Sequence, residues 1–147
     1  MIGPINHVSI TVSDLDASIS FYNGLLGLRL LGRGDASGSH LDQITGFPDV
    51  DLRWAELEVG NQILELFQYR RPAGESVQSR TCDNGNVHIA FEVTGIDDVF
   101  RRLTAAAVIC RSPPITIPIG DWSGTRCFYA VDPDGVTIEL LELPERL

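Results

Sequence analysis

The chain has 147 residues, a formal net charge of -9, and 44% hydrophobic against 21% charged residues. That composition excludes a predominantly disordered chain, and eleven Lys and Arg against twenty Asp and Glu exclude a phosphate-backbone binder. No apolar run approaches the ~20 residues that span a bilayer. Met1-Ile2-Gly3-Pro4 lacks the charged and apolar regions of a secretory signal, so a cytoplasmic location with no membrane partner is expected.

The first predicted strand is Asn6 to Val12, where Val8, Ile10 and Val12 alternate with His7, Ser9 and Thr11. Ser13-Asp14 supplies a helix cap, and Leu15, Ile19 and Tyr22 fall on one helical face that Gly24 and Gly27 end. Leu28 to Leu31 reads as a strand and residues 32–50, rich in Gly, Asp and Ser, as a long loop. Arg53 to Val59 and Gln62 to Tyr69 form a hairpin about Gly60-Asn61. Residues 69–85 read as a linker. The pattern then restarts. Val87 to Val93 alternates as a strand, and Ile96, Val99, Phe100 and Leu103 mark a helix. A short strand is expected near Val108 to Arg111, followed by a loop containing Pro113, Pro114 and Pro118. Thr125 to Val131 and Val136 to Leu143 are strands about the turn Asp132-Pro133-Asp134-Gly135.

The chain is therefore an internal repeat. His7 to Asp16 lies over His88 to Asp97 at an offset of 81, and Leu64-Glu65-Leu66 over Ile138-Glu139-Leu140 at an offset of 74. The fold expected is α+β: two βαβββ modules, 5–68 and 86–143, in one domain 5–143. They form a curved mixed sheet cup with the helices on its outer face. Cys82, Cys110 and Cys127 are odd in number and widely spaced, which reads as reduced thiols.

Each module places a His on its first strand and a Glu on its last. The apolar residues beside them are needed to bury the helices, so His7, Glu65, His88 and Glu139 are expected inside the cup. Two imidazoles and two carboxylates suit one divalent ion, Zn, Ni, Co, Mn or Fe(II). Thr125, Cys127 and Tyr129 line the cup from the penultimate strand. His40 has no partner of this kind and reads as a surface residue.

Five segments carry a resemblance: Asn6-His7-Val8; Phe21-Tyr22 with Leu25-Leu26-Gly27-Leu28; Ile63-Leu64-Glu65-Leu66; Asn86 to Val93; and Asp132-Pro133-Asp134-Gly135 with Ile138-Glu139-Leu140. Together they resemble the vicinal oxygen chelate superfamily, which includes glyoxalase I, methylmalonyl-CoA epimerase, extradiol dioxygenases and the bleomycin- and fosfomycin-resistance proteins. The resemblance spans about residues 5–143. It implies metal ligands at His7, Glu65, His88 and Glu139, the four-ligand pattern of glyoxalase I. It implies Glu139 or Glu65 as the base that takes a proton next to a carbonyl, a small-molecule carbonyl substrate contacted by Tyr129 and Thr125, and a homodimer. After Glu65 the chain departs from the bacterial glyoxalases, reading Leu66-Phe67-Gln68-Tyr69-Arg70-Arg71-Pro72, so glutathione recognition is not implied. The function expected is an isomerase or lyase. The alternatives are a dioxygenase of the same superfamily and a small-molecule-binding resistance protein.

Overall fold

The computed structural model describes residues 1–77 and 79–145. It divides into two compact units, Met1–Val77 and the residues from 78 onward.

The first unit contains β1 (His7–Thr11), α1 (Leu15–Ile19), a π-helical turn (Ser20–Leu25), β2 (Arg29–Ser37), α2 (Ser39–Thr45), β3 (Asp51–Val59) and β4 (Gln62–Arg71). The second contains β5 (Ile89–Glu92), α3 (Ile96–Ala105), β6 (Ile115–Thr116), β7 (Arg126–Val131) and β8 (Thr137–Glu142). Their four-stranded sheets have the same topology, β1-β4-β3-β2 and β5-β8-β7-β6. In each, the first strand runs parallel to the last, and the remaining pairs are antiparallel. Each unit is thus a mixed-sheet βαβββ layer with its helix on one face. Among the described residues, no helix is long and apolar enough to cross a membrane.

Alternation along the strands decides which face the helix covers. In the first unit Leu64, Leu66, Ala55 and Leu57 are buried with Leu15 and Ile19 of α1, and Tyr22 of the π turn completes that core. In the second, Ile138, Leu140, Phe91 and Phe128 are buried with Ile96, Val99 and Leu103 of α3. Phe100 meets Phe128 edge-on at 5.3 Å between ring centres. Val8 departs from the expected apolar face and is 40% exposed, because it lies at the start of an edge strand.

Several sequence-based boundaries change. β2 continues to Ser37 through the stretch read as a loop, and α2 follows it. Gly32 to Ser37 has poor strand propensity but pairs residue by residue with β3, from Gly32↔Glu56 to Ser37↔Asp51. The segment read as a linker begins later, since Tyr69, Arg70 and Arg71 belong to β4. Arg70 is held there by Asp51 and Asp35. The strand expected near 108–111 is reduced to one bridge, Cys110↔Ala130, and β6 lies inside the proline-containing loop.

Each helix start is tied to its sheet by the same clamp. In the first unit Arg53 on β3 donates to Asp16 at 3.0 Å and to Gln68 at 3.1 Å, and Gln68 Oε1 accepts the Leu15 N–H at 3.3 Å. In the second, Arg126 on β7 holds Asp97 through two 2.7 Å bonds. Glu142 Oε1 accepts the Gly95 N–H at 2.5 Å and the Ile96 N–H at 3.2 Å. Gln68 and Glu142 occupy matching positions of the repeat, as do Arg53 and Arg126. Asp14 adds a side-chain cap in the first unit, accepting from Asp16 and Ala17. Gly95 has no side chain to do so, and Glu142 takes that role.

The guanidinium of Arg53 holds the Asp16 carboxyl below its usual range, and that of Arg126 does the same for Asp97. A depressed folded value stabilises the fold above the unfolded Asp value of about 3.9, and the contribution is lost as pH falls through the folded value. Arg126→Ala should make Asp97 titrate at higher pH than in the parent protein, read by carboxyl NMR. An unchanged Asp97 titration would show that Arg126 does not set it.

Candidate metal centre

The parallel pairing of first and last strand brings one His and one Glu together in each unit. Ser9 lies opposite Glu65 and Ala90 opposite Glu139, the same register in both repeats. His7 Nε2 then stands 3.5 Å from Glu65 Oε2, and His88 Nε2 3.3 Å from Glu139 Oε2. His88 lies one residue ahead of β5. The carboxylates are mostly covered, with side-chain exposures of 16% for Glu65 and 19% for Glu139, while the imidazoles are more open. Leu64, Leu66, Ile138 and Leu140 point the other way, into the helix-covered cores.

Asn6 orients the first imidazole. Its Oδ1 is 2.8 Å from His7 Nδ1. With Nδ1–H donating to Asn6, Nε2 keeps its lone pair on the Glu65 side, the arrangement a metal-binding imidazole needs. The donor chemistry therefore fits a divalent ion of the Zn, Ni, Co, Mn or Fe(II) class. Within either unit, among the described residues, no group of three or more His, Cys, Asp or Glu side chains is gathered to hold a metal; each unit builds one His–Glu pair.

Tyr129 lies directly opposite Glu139 across β7 and β8, and its ring stands 5.5 Å from that of His88. Burial, with the Glu139 charge second, pushes the Tyr129 phenol above its ordinary value, so it remains a neutral donor. Cys127 is on the same face. Its thiol is also pushed up, by burial, then by the charge of Glu139 and a hydrogen bond to it. Thr125 precedes β7 and is only 2% exposed, so of the two residues expected to touch substrate, Tyr129 is the one that presents surface. Cys82, Cys110 and Cys127 are all free thiols. His40 is exposed on α2.

The turn ahead of β8 fixes this register. Asp132 Oδ1 accepts the N–H groups of Asp134 at 2.9 Å and Val136 at 2.8 Å, and Gly135 takes φ 90°, which only glycine adopts without strain.

Two residues that strand alternation did not single out share the ligand face of the first unit. Glu56 on β3 lies directly opposite Glu65, the place Tyr129 takes in the second unit. Trp54 lies two residues further along, opposite Phe67. Glu56 was accessible from sequence by counting outward from the two-residue turn at Gly60-Asn61, because Val59↔Gln62 fixes Glu56↔Glu65. Trp54 carries no such signal until β2 is known to extend beneath it.

Known proteins share this arrangement of chain. The family model for the Glyoxalase/Bleomycin resistance protein/Dioxygenase superfamily matches residues 4–140. A 2-epi-5-epi-valiolone epimerase of an Actinomyces species is 34% identical over 148 aligned positions, covering 95% of this chain and 79% of that protein. The lactoylglutathione lyase of Haemophilus influenzae is 30% identical, covering 94% of this chain and 91% of that protein. A glyoxalase-family protein of Bacillus cereus has the same fold at a TM-score of 0.86 and 24% identity, with 99% of this chain and 97% of that one aligned. With the family model spanning nearly its whole length, the chain belongs to the Glyoxalase/Bleomycin resistance protein/Dioxygenase superfamily.

Proposed function

We propose that the protein is a divalent-metal-dependent isomerase or lyase that moves a proton on the carbon next to a carbonyl group of a small molecule. The observation that carries this reading is the His–Glu pair built twice, at 3.5 Å in one unit and 3.3 Å in the other, on strands of identical register. His7, Glu65, His88 and Glu139 would hold the ion. Relatives named as an epimerase and a lyase support the reaction class. Such an ion supplies positive charge where the carbonyl oxygen gains electron density.

The protein's own groups handle the proton. A carboxylate of Glu139 accepts the hydrogen from the α-carbon, and the C–H electron pair moves toward the carbonyl carbon while the carbonyl electrons move to oxygen. The neutral Tyr129 phenol beside Glu139 donates a hydrogen bond to a substrate oxygen and orients it. Return of the proton to the former carbonyl carbon completes an isomerisation, and its delivery to the opposite face of the α-carbon inverts that carbon, a step that needs a second proton-carrying group. In the first unit Glu65 has a second carboxyl, Glu56, directly opposite it. At the strand position opposite the ligand carboxylate the repeats differ, with Glu56 in the first unit and Tyr129 in the second.

The test combines metal analysis with isotope exchange. Protein purified without chelators should contain a divalent ion, and His7→Ala and His88→Ala should lose it while keeping parent-like circular dichroism. With that ion, the parent protein should exchange the α-hydrogen of hydroxyacetone with deuterated solvent. Stoichiometric metal in both variants would overturn the ligand assignment. Consumption of one dioxygen per product without α-hydrogen exchange would overturn the proton-transfer reading.

A further inference from the structure

We propose that Asn84 is a site of self-modification: the backbone nitrogen of Gly85 closes on its side-chain amide, and the isoaspartyl product opens the turn that leads into His88. The change proceeds whether or not the protein carries the proposed carbonyl chemistry. The chain has two Asn-Gly pairs, Asn23-Gly24 and Asn84-Gly85. The fold holds the first and leaves the second free to react.

The reaction needs water and no other reagent. The Gly85 N–H gives up its proton, and the nitrogen electron pair attacks Cγ of Asn84. The Cγ–Nδ2 bond breaks and the amide nitrogen leaves as ammonia, so a succinimide ring links the two residues. Water then adds to one ring carbonyl and breaks the bond from that carbon to the Gly85 nitrogen. Opening at the side-chain carbonyl gives aspartate. Opening at the main-chain carbonyl gives isoaspartate, whose backbone runs through Cβ. Glycine admits the ring, because a Cβ on the attacking residue would crowd its nitrogen.

Asn84 and Gly85 are exposed, in a turn of the segment that precedes β5. Gly85 has φ 88°, and a Cβ built on it would meet no atom within 4 Å, so the space around the attacking nitrogen is open. Among the described residues, neither the Asn84 amide nor the Gly85 N–H has a hydrogen-bond partner. Asn23 is held instead. It lies in the π-helical turn Ser20–Leu25, and its Nδ2 donates to the Leu28 carbonyl at 2.6 Å. Its amide reaches the Gly24 nitrogen only after that bond and the helical turn open, and a reaction from an open state is slowed by how rarely the opening occurs. The turn around Asn84 is closed by the Asn86 N–H, which donates to the Asp83 carbonyl at 3.1 Å. Asp83 is tied to Arg80 at 2.7 Å, and Asn86 Nδ2 donates to Ser79 Oγ at 2.5 Å. Isoaspartate inserts a carbon into the ring of chain that the Asn86–Asp83 bond closes, which spoils the geometry of that bond. Asn86 stands two residues ahead of His88, so the turn that sets where the chain enters β5 comes undone.

Incubation of the full chain at mildly alkaline pH, followed by peptide mass spectrometry, tests the site. Asn84 should gain about 1 Da and become a substrate for isoaspartyl carboxyl methylation. In folded protein its conversion should run roughly tenfold or more ahead of that at Asn23, the factor that a hydrogen bond and a helical turn impose. In urea the two sites should convert at similar rates. Raising the pH should speed conversion, because the attacking nitrogen must lose its proton. Asn84→Gln, whose longer side chain would have to close a larger ring, should stop it. The Asn86 amide should exchange with deuterium faster in the converted parent than in Asn84→Gln incubated alongside. Asn84 left intact in the folded chain while it converts in urea, or equal folded-state conversion at Asn84 and Asn23, would overturn the site. Unchanged Asn86 exchange in the converted fraction would overturn the opening of the turn.

Discussion

Glu139→Gln, supplied with excess metal so that its site stays loaded, should slow α-hydrogen exchange by about 10²–10⁴-fold. The range corresponds to roughly 2.7–5.4 kcal/mol of activation free energy, at about 1.36 kcal/mol per tenfold. The substitution keeps the size of the side chain and removes its ability to accept a proton. Burial behind Tyr129 and Cys127 leaves no second carboxylate at the directly opposed strand position, which Tyr129 occupies. In the first unit the equivalent position holds Glu56, so Glu65→Gln should reduce exchange less than Glu139→Gln in equally loaded protein. Exchange followed by proton NMR gives the rates, and elemental analysis of the same samples gives the loading. Exchange by Glu139→Gln within tenfold of the parent would remove Glu139 from the role of base.

The second large effect concerns the fold. Leu66→Ala should destabilise the protein by about 2–5 kcal/mol, because Leu66 is fully buried opposite Ile10 and next to Glu65. Val8→Ala, on the adjoining strand and 40% exposed, should cost less than about 1 kcal/mol. Urea midpoints of the two variants measure the difference. The contrast tests how far the helix-covered face extends along β1, since Val8 shares that face with Ile10. A Val8→Ala loss as large as that of Leu66→Ala would mean that the start of β1 is covered rather than exposed.

How much of this was legible in the sequence depends on the residue. The His–Glu pairs were legible because two conditions coincide at each: period-two alternation places them opposite the buried leucines and isoleucines, and the repeat supplies every residue with a counterpart. α1 and α3 were legible from Leu15 and Ile19, and from Ile96, Val99 and Leu103. The second half of β2 was not. Gly32-Arg33-Gly34-Asp35 carries turn-like composition, and only its pairing with β3 holds it extended. The packing of Trp54 was hidden for the same reason, since its indole lies against Gly32 and Gly34 of that stretch. α2 was obscured by its length of seven residues and by having no buried residue to mark a periodic face. The clamps fell between these cases. Arg53 and Arg126 have matching places in the repeat, but their partners Asp16 and Asp97 are distant in sequence and met only once the helices were set on their sheets.

The clamps have a mechanical consequence. Gln68 and Glu142 lie three residues beyond Glu65 and Glu139 on the same strands, so one strand carries a metal-ligand candidate on one face and anchors a helix on the other. A displacement of the strand by one residue would turn the ligand carboxylate into the core and, in the same movement, pull the anchor from its helix. The helix therefore acts as a ratchet pawl on the strand. Sliding of the strand is thus opposed by the helix, and a ligand pulling on Glu65 or Glu139 pulls against that helix as well.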